Sequence, residues 1–264
     1  MCCFTGGVEK VSDTSIFARA LGQRQLVVYS MAYAAESELA MVLPVPVVPE
    51  SSEDALRFIN LEKCPDFFAE LREGFPPRYD AEIGDMLSAV DEDTETLARK
   101  LHVHEVGAFE ASFVPRPEDF GRLDERFRLP AEIWLELNHY RDWGFAVFKL
   151  KQTELAQVHP MAFDFPRRDP KRLFFPTLHV HHRRFEKSAE FDHTLYCQPE
   201  PAMNWHLAQW EDSVNPAAQF VHCAEAAKLL DLDYPCWRVF VDGMRENRDT
   251  WVGPGETIPV RARA

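Results

Sequence analysis

The chain has 264 residues, 46% of them hydrophobic, and a formal net charge of −14. A chain of this length buries roughly 70–75% of the surface that its unfolded form exposes, so it needs no disulfide scaffold to fold. Its 43 acidic residues, against 29 basic ones, repel phosphate backbones and anionic lipid surfaces. Composition therefore argues against nucleic acids and membranes as partners.

The sequence also lacks the usual targeting segments. It has no run of about 18 apolar residues, so we expect no transmembrane helix. The first ten residues, MCCFTGGVEK, have neither the basic region nor the apolar region of a signal peptide. These features predict a cytoplasmic protein, in which the six cysteines are expected to be reduced.

The first predicted elements are two strands and an interrupted helix. Residues 25–34 (QLVVYSMAYA) are rich in β-branched, aromatic and other apolar side chains and predict a strand. Residues 39–45 (LAMVLPV) predict the returning strand, which the following prolines end. Serines and acids at 51–54 predict a helix start, and apolar spacing extends that helix to residue 71 with a break near Cys64-Pro65.

Strands dominate the rest of the chain, and short connections join most of them. Further strands are predicted at 102–114, 144–150, 159–165, 173–182, 190–197 and 237–241. Helices are predicted to start near residue 117 and to cover 130–140 and 217–230. This order predicts an α+β fold with mostly antiparallel sheets and flanking helices. We expect a single large domain or two fused β-rich lobes, 1–150 and 151–264.

Three segments resemble a group of uncharacterised bacterial proteins that are classed as a domain of unknown function. They are VYSMAYAAESELAMVLPVP, VGAFEASFVP and YRDWGFAVFKL, which lie between Leu26 and Leu150. The resemblance implies a shared β-rich scaffold and no activity. It does not extend to the histidine-rich segment that follows.

Histidine and cysteine are concentrated between residues 179 and 197. This segment carries His179, His181, His182, His193 and Cys197, and it is predicted to form one β-hairpin. Imidazole and thiolate bind borderline and soft transition metals, and three histidines with an open position form a common catalytic site. We therefore hypothesise a metal site formed by His179, His181, His193 and Cys197, which suits zinc or copper ahead of iron.

The metal hypothesis depends on the register of that hairpin. Side chains alternate between the two faces of a strand, so His179 and His181 share one face, as do His193 and Cys197. A one-residue shift decides whether both pairs face the same side. His102 and His104, on another predicted strand, would complete the site if that strand lies adjacent. The alternative is that these histidines are only solvent-facing or hydrogen-bonded polar residues.

Two adjacent cysteines at the amino end suggest a second chemistry. If Met1 is removed, Cys2 becomes the terminal residue and its own amine can act as the base for a thiol nucleophile. The glycines that follow would let backbone amides approach an oxyanion. Cys2 and Cys3 are thus candidate catalytic residues. They are also candidate soft metal ligands, or small apolar residues that anchor the terminus.

These patterns leave three functional hypotheses open. The first is a transition-metal-binding protein, or a metalloenzyme with Lewis-acid or redox chemistry that acts on a small molecule. The second is a cysteine-dependent enzyme with Cys2 or Cys3 as nucleophile and a histidine of the hairpin as base. The third is a non-catalytic binding or scaffold protein.

Overall fold

The computed structural model describes residues 3–76, 103–107, 109–151, 153–157, 159–180, 184–201, 206–254 and 258. Its strands are β1 Cys3–Phe4, β2 Lys10–Leu21, β3 Arg24–Ala35, β4 Leu39–Val45, β5 Arg57–Asn60, β6 Val103–Val106, β7 Phe109–Val114, β8 Gly144–Leu150, β9 Thr153–Gln157, β10 Met161–Pro166, β11 Leu173–Phe175, β12 Ser188–Gln198, β13 Glu211–Asp212, β14 Trp237–Glu246 and β15 Thr250–Val252. Its α-helices are α1 Phe67–Glu73, α2 Ala131–Glu136 and α3 Ala224–Ala227, and its 3-10 helices are Pro117–Arg122, Glu125–Phe127, Asn138–Tyr140 and Ala217–Gln219.

Two large sheets form the fold. The smaller has the strand order β1-β4-β8-β7-β6, and we call it sheet A. The larger, sheet B, has the order β13-β14-β12-β2-β3-β10-β5, with β9 also paired to β3. Among the described strand pairs, all are antiparallel except β2 with β12. Strands β11 and β15 form a separate two-stranded sheet.

The main core lies between the two sheets. One buried cluster joins Met41, Phe148 and other residues of sheet A to Tyr29, Phe163, Leu195 and other residues of sheet B. A second cluster covers part of the outer face of sheet B with α1 and the segment 216–232. A third covers the outer face of sheet A with α2 and its flanking turns. Strand β3 is buried along nearly its whole length, because both of its faces are covered.

The predicted fold class is wrong. The fold is mostly β, with 43% strand and 16% helix, whereas the sequence predicted α+β with flanking helices. Between residues 51 and 71, where one helix was predicted, the chain forms strand β5 and then most of the short helix α1. The helix predicted at 217–230 is reduced to one 3-10 turn and the four residues of α3. Apolar residues that cover a sheet from short turns give the same spacing as a helix, which explains the error.

The two lobes predicted from the sequence share a sheet. Sheet A consists of strands from the first 150 residues, while sheet B combines β2, β3 and β5 with strands that follow residue 150. Strands β3 and β4 form at the predicted positions, but they belong to different sheets. The turn between them therefore carries the chain across the sandwich and does not close a hairpin.

Candidate functional site

The hairpin predicted for 179–197 does not form as proposed. Strand β12, which carries His193 and Cys197, pairs with β14 on one side and with β2 on the other. His179 lies in the segment that follows β11, where Val180 forms an isolated bridge with Cys3. The residues from His181 to Arg183 lie outside the described part of the chain.

Asn247 fixes the segment around His179. Its Oδ1 accepts a hydrogen bond from the backbone N–H of His179 at 2.8 Å. Its Nδ2 donates to the carbonyl oxygen of His179 at 2.8 Å and to that of Glu186 at 2.7 Å. One amide side chain from the turn between β14 and β15 therefore holds two distant parts of the chain together.

His179 and His193 come together as members of an aromatic stack. Their ring centroids lie 5.3 Å apart, and Phe191 lies 4.3 Å from His179 and 5.1 Å from His193. His179 is 3% exposed and His193 is 1% exposed. The Asp192 carboxylate lies 3.9 Å from Nδ1 of His193. The structure thus juxtaposes two of the predicted ligands inside the core.

Cys197 does not join them. It shares a face of β12 with His193, but four residues of strand separate the two by about 13 Å. Its side chain belongs to the main core. Burial raises the pKa of the Cys197 thiol well above its ordinary value, and the neighbouring Cys236 adds to the shift. A neutral thiol is a poor metal ligand compared with a thiolate.

The structure describes only one of the two amino-terminal cysteines. Cys3 lies on β1 and packs in the third cluster with Leu178 and Val180, at 1% exposure. A substrate does not reach its thiol in this arrangement. Cys2 lies outside the described residues, so the nucleophile hypothesis stays a prediction.

Only one histidine of the other predicted pair lies in the described part of the chain. His104 lies on β6 with its ring 5.3 Å from that of Phe58, and His102 is not among the described residues. Across the described residues, no group of three or more His, Cys, Asp or Glu side chains is arranged to hold a metal ion.

A buried carboxylate is one feature that the sequence did not reveal. Asp249 accepts hydrogen bonds from the Tyr140 hydroxyl at 2.6 Å and from the backbone N–H groups of Thr177 and Leu178 at 2.8 and 2.9 Å. Burial raises the pKa of Asp249 to about 6, although these three donors act in the opposite direction. In sequence, the surrounding ENRDT segment is typical of an exposed turn, so no local signal marks this residue.

A second unpredicted feature is an acidic surface on the outer side of sheet B. In the register of β12 and β14, Asp192 lies opposite Asp242, and Glu190 lies opposite Met244. The pKa of Asp192 is raised, chiefly by partial burial and also by the nearby carboxylates of Asp13 and Glu190. Like charges thus lie close together on this part of the sheet.

Two large apolar side chains are exposed on the same surface. Phe240 is 47% exposed and Met244 is 71% exposed, and both alternate with Asp242 along β14. We use the name acidic face for the surface formed by Asp13, Glu190, Asp192, Phe240, Asp242 and Met244. Where the structure describes the chain, the far edge of β14 pairs only with β13, at Trp237 and Arg238. The rest of that edge has no described neighbouring strand.

A groove adjoins this face. Its volume is about 760 Å³, and Met244 lines it together with Glu132 and Glu136 of α2 and the segment 184–188. Because Met244 belongs to both, the groove and the acidic face are continuous.

One cysteine pair departs from the expectation of reduced thiols. Cys64 and Cys223 form a disulfide with a Cα–Cα distance of 5.8 Å. Beside it, the Glu70 carboxylate accepts hydrogen bonds from the backbone N–H groups of His222 and Cys223 at 2.9 and 3.1 Å. The disulfide joins the segment just before α1 to the start of α3, and Glu70 joins α1 itself to the same place.

Comparisons with known proteins give remote structural likenesses. No protein-family model matches the chain. The chain is similar to baculovirus P35, with 12% identity over 96% of this chain and 99% of that one and a TM-score of 0.48. It is also similar to a chain of a caspase-8/P35 complex (9% identity, 92% and 96% coverage, TM-score 0.41). A third likeness is to a mutated baculovirus P35 after caspase cleavage (11% identity, 92% and 98% coverage, TM-score 0.39). At these identities and TM-scores, the likeness defines no function for this chain.

None of the described helices has the length and apolar character that crossing a bilayer requires.

Proposed function

We propose that the protein is a non-catalytic binding protein that engages a partner protein through the acidic face. The observation that carries this proposal is the exposure of Phe240 and Met244 along an edge of β14 that has no described neighbouring strand over most of its length. Large exposed apolar side chains on a sheet edge are typical of interaction surfaces, because both the side chains and the backbone are available to a second chain.

The location of the reactive side chains also supports binding over catalysis. Cys3, His179, His193 and Cys197 are all buried in packed clusters. The surface groove and the acidic face are lined instead by carboxylates, basic side chains and apolar residues. These groups suit recognition of a complementary surface, for which shape, charge and exposed apolar anchors are the main requirements.

Display of random octapeptides tests this proposal. Peptides are selected on the wild-type protein and then counter-screened on the Phe240→Lys/Met244→Lys double variant, which places charge on the edge without changing the core. We expect selected peptides to lose binding to the double variant and to keep binding to Val48→Lys, a control at an apolar residue that is also 47% exposed. If the selected peptides bind the double variant as well as they bind wild type, this surface is not the binding site.

Transition-metal binding is a second candidate function, favoured by the contact between His179 and His193. Two buried imidazoles with ring centroids 5.3 Å apart offer nitrogen donors that suit zinc or copper. Elemental analysis after dialysis against each ion tests it, with His179→Phe and His193→Phe as variants. Phenylalanine keeps an aromatic ring in the stack and removes the donors. About one equivalent of metal in wild type and none in either variant supports the site, and no metal in wild type rejects it.

A further inference from the structure

We infer that the acidic face binds an extended, basic segment of another protein, which adds a strand to the edge of β14. This inference rests on the proposed binding function and names the chemistry of the partner. The edge is long enough for strand addition, because β14 runs from Trp237 to Glu246 and β13 pairs with only its first two residues. Strand addition supplies affinity through main-chain hydrogen bonds, and the adjacent side chains supply specificity.

The outward side chains of β14 alternate in character. Phe240 and Met244 are apolar, while Asp242 and Glu246 are acidic, and all four point away from the core that Val239 and Val241 enter. An added strand presents every second side chain on this same side. The complementary segment therefore carries basic side chains on that side, next to Asp242 and Glu246, and apolar side chains beside Phe240 and Met244.

Charge favours a basic partner over an apolar or acidic one. Asp192 and Asp242 are directly opposed across β12 and β14, and Asp13 and Glu190 lie close to Asp192. Opposed like charges destabilise a strand pair, and Arg245 compensates only part of this repulsion from its place beside Asp242, so an added cation relieves what remains. The net charge of −14 also draws a basic segment toward the protein at low salt.

The same charges disfavour a second copy of this chain as the occupant. If two β14 edges paired with Asp242 on the two-fold axis, Asp242 of one copy would face Asp242 of the other, and in every register each copy would bring the same excess of acid. Self-pairing would therefore add like-charge contacts at the interface and not remove them.

Arg245 currently occupies part of the edge. Its Nε donates a hydrogen bond to the carbonyl oxygen of Asp242 at 2.8 Å, and its guanidinium lies 3.7 Å from the Asp242 carboxylate. A basic segment would compete with Arg245 for both oxygens, and with Arg248 at Glu246, where the guanidinium and the carboxylate lie 3.3 Å apart. Removing this side chain should strengthen binding, whereas removing an ordinary contact residue would weaken it.

Three seven-residue probes with blocked ends test the inference by fluorescence anisotropy. They are a Lys-Val peptide of sequence Lys-Thr-Val-Thr-Lys-Thr-Val, which presents Lys and Val in turn on one side of the strand, the matching Glu-Val peptide with Glu in place of Lys, and the Lys-Val peptide with proline in place of the central threonine, which keeps the charge and loses a backbone donor. We expect only the first probe to bind wild type. Phe240→Lys/Met244→Lys should weaken it about tenfold or more, Arg245→Ala should strengthen it severalfold, and Val48→Lys should leave it unchanged. Circular dichroism of each variant checks the fold.

Each contrary outcome overturns a defined part of the inference. Equal binding of the proline probe would mean attraction by charge alone, without strand addition. Binding of the Glu-Val probe, or of none, would reject a basic partner, and the octapeptide display would then show whether the surface binds another class of peptide. Sedimentation velocity of the protein alone tests the remaining possible occupant of the edge, a second copy of this chain. A dimer that the Phe240→Lys/Met244→Lys variant dissociates would replace the basic segment with a second copy of the chain.

Discussion

Asp249 shows how one side chain can organise a region that has no regular structure. Its carboxylate accepts hydrogen bonds from Tyr140, Thr177 and Leu178, and it therefore holds the segment after β11 against the turn between β14 and β15. Asn247, two residues earlier, holds His179 by accepting a hydrogen bond from its backbone N–H and donating one to its carbonyl oxygen. The position of His179 beside His193 thus depends on two polar side chains that are distant from both in sequence.

Replacing Asp249 with asparagine should remove a pH dependence of stability. Because burial raises the pKa of Asp249 to about 6 in the folded protein, the native state binds this proton more tightly than the unfolded state does. Its contribution to the free energy of unfolding is therefore complete below about pH 4 and falls as the pH rises through about 6. A shift of about two pKa units corresponds to about 3 kcal/mol.

Urea unfolding of wild type and Asp249→Asn between pH 4 and 8 measures this effect. The free energy of unfolding should fall more steeply with pH in wild type than in the variant, because asparagine has no proton to lose. Asp54→Asn, at an exposed residue, serves as the control. Equal slopes in wild type and Asp249→Asn would show that Asp249 does not titrate in this range.

Individual strands were predictable, but their partners were not. The apolar and β-branched content of residues 25–34 and 39–45 located β3 and β4 closely, and residues 144–150 located β8. Pairing depends on contacts between segments that are far apart in sequence, which is why β12 was assigned to a hairpin with its upstream neighbour when it pairs with β2 and β14. The stack of His179 and His193 follows from that long-range arrangement, and no local pattern encodes it.

The disulfide between Cys64 and Cys223 should contribute strongly to stability. The two residues are 159 positions apart, and closing a loop of that size removes much conformational entropy from the unfolded chain. Cys223→Ser should therefore lower the free energy of unfolding by about 2–5 kcal/mol.

The measurement is chemical unfolding with and without reductant. Reductant should destabilise wild type and leave Cys223→Ser unchanged, since the variant has no bond to lose. Mass spectrometry of unreduced tryptic peptides identifies the linked pair directly. A wild-type protein that is insensitive to reductant would indicate that the two thiols are not joined.

The molecule as a whole is a sandwich whose larger sheet is assembled from both ends of the chain. Sheet A draws on the first 150 residues, whereas β2 and β3, in the middle of sheet B, pair with β12 and β10 from beyond residue 150. The division into lobes 1–150 and 151–264 that the sequence suggested is tested by asking whether the first segment folds alone.

A fragment of residues 1–150 should not reach a stable native state. Without β10 and β12, the strands β2 and β3 would expose apolar faces and two unpaired edges. We expect poorly dispersed amide resonances in the NMR spectrum of the fragment and concentration-dependent aggregation, while the full chain gives a dispersed spectrum. A monomeric fragment with a cooperative unfolding transition would instead support two separately folding lobes.

The parallel pairing of β2 with β12 has a consequence during synthesis. Every strand of sheet A has left the ribosome once residue 150 emerges, but β2 must wait for β12, and β12 for β14, which ends at residue 246. At about 5–20 residues per second, translation from residue 150 to residue 246 takes roughly 5–20 s. During this time the inner face of the incomplete sheet B is exposed. The nascent chain should therefore depend most on chaperones late in translation, when sheet A is complete and sheet B still lacks the strands that pair beside β2.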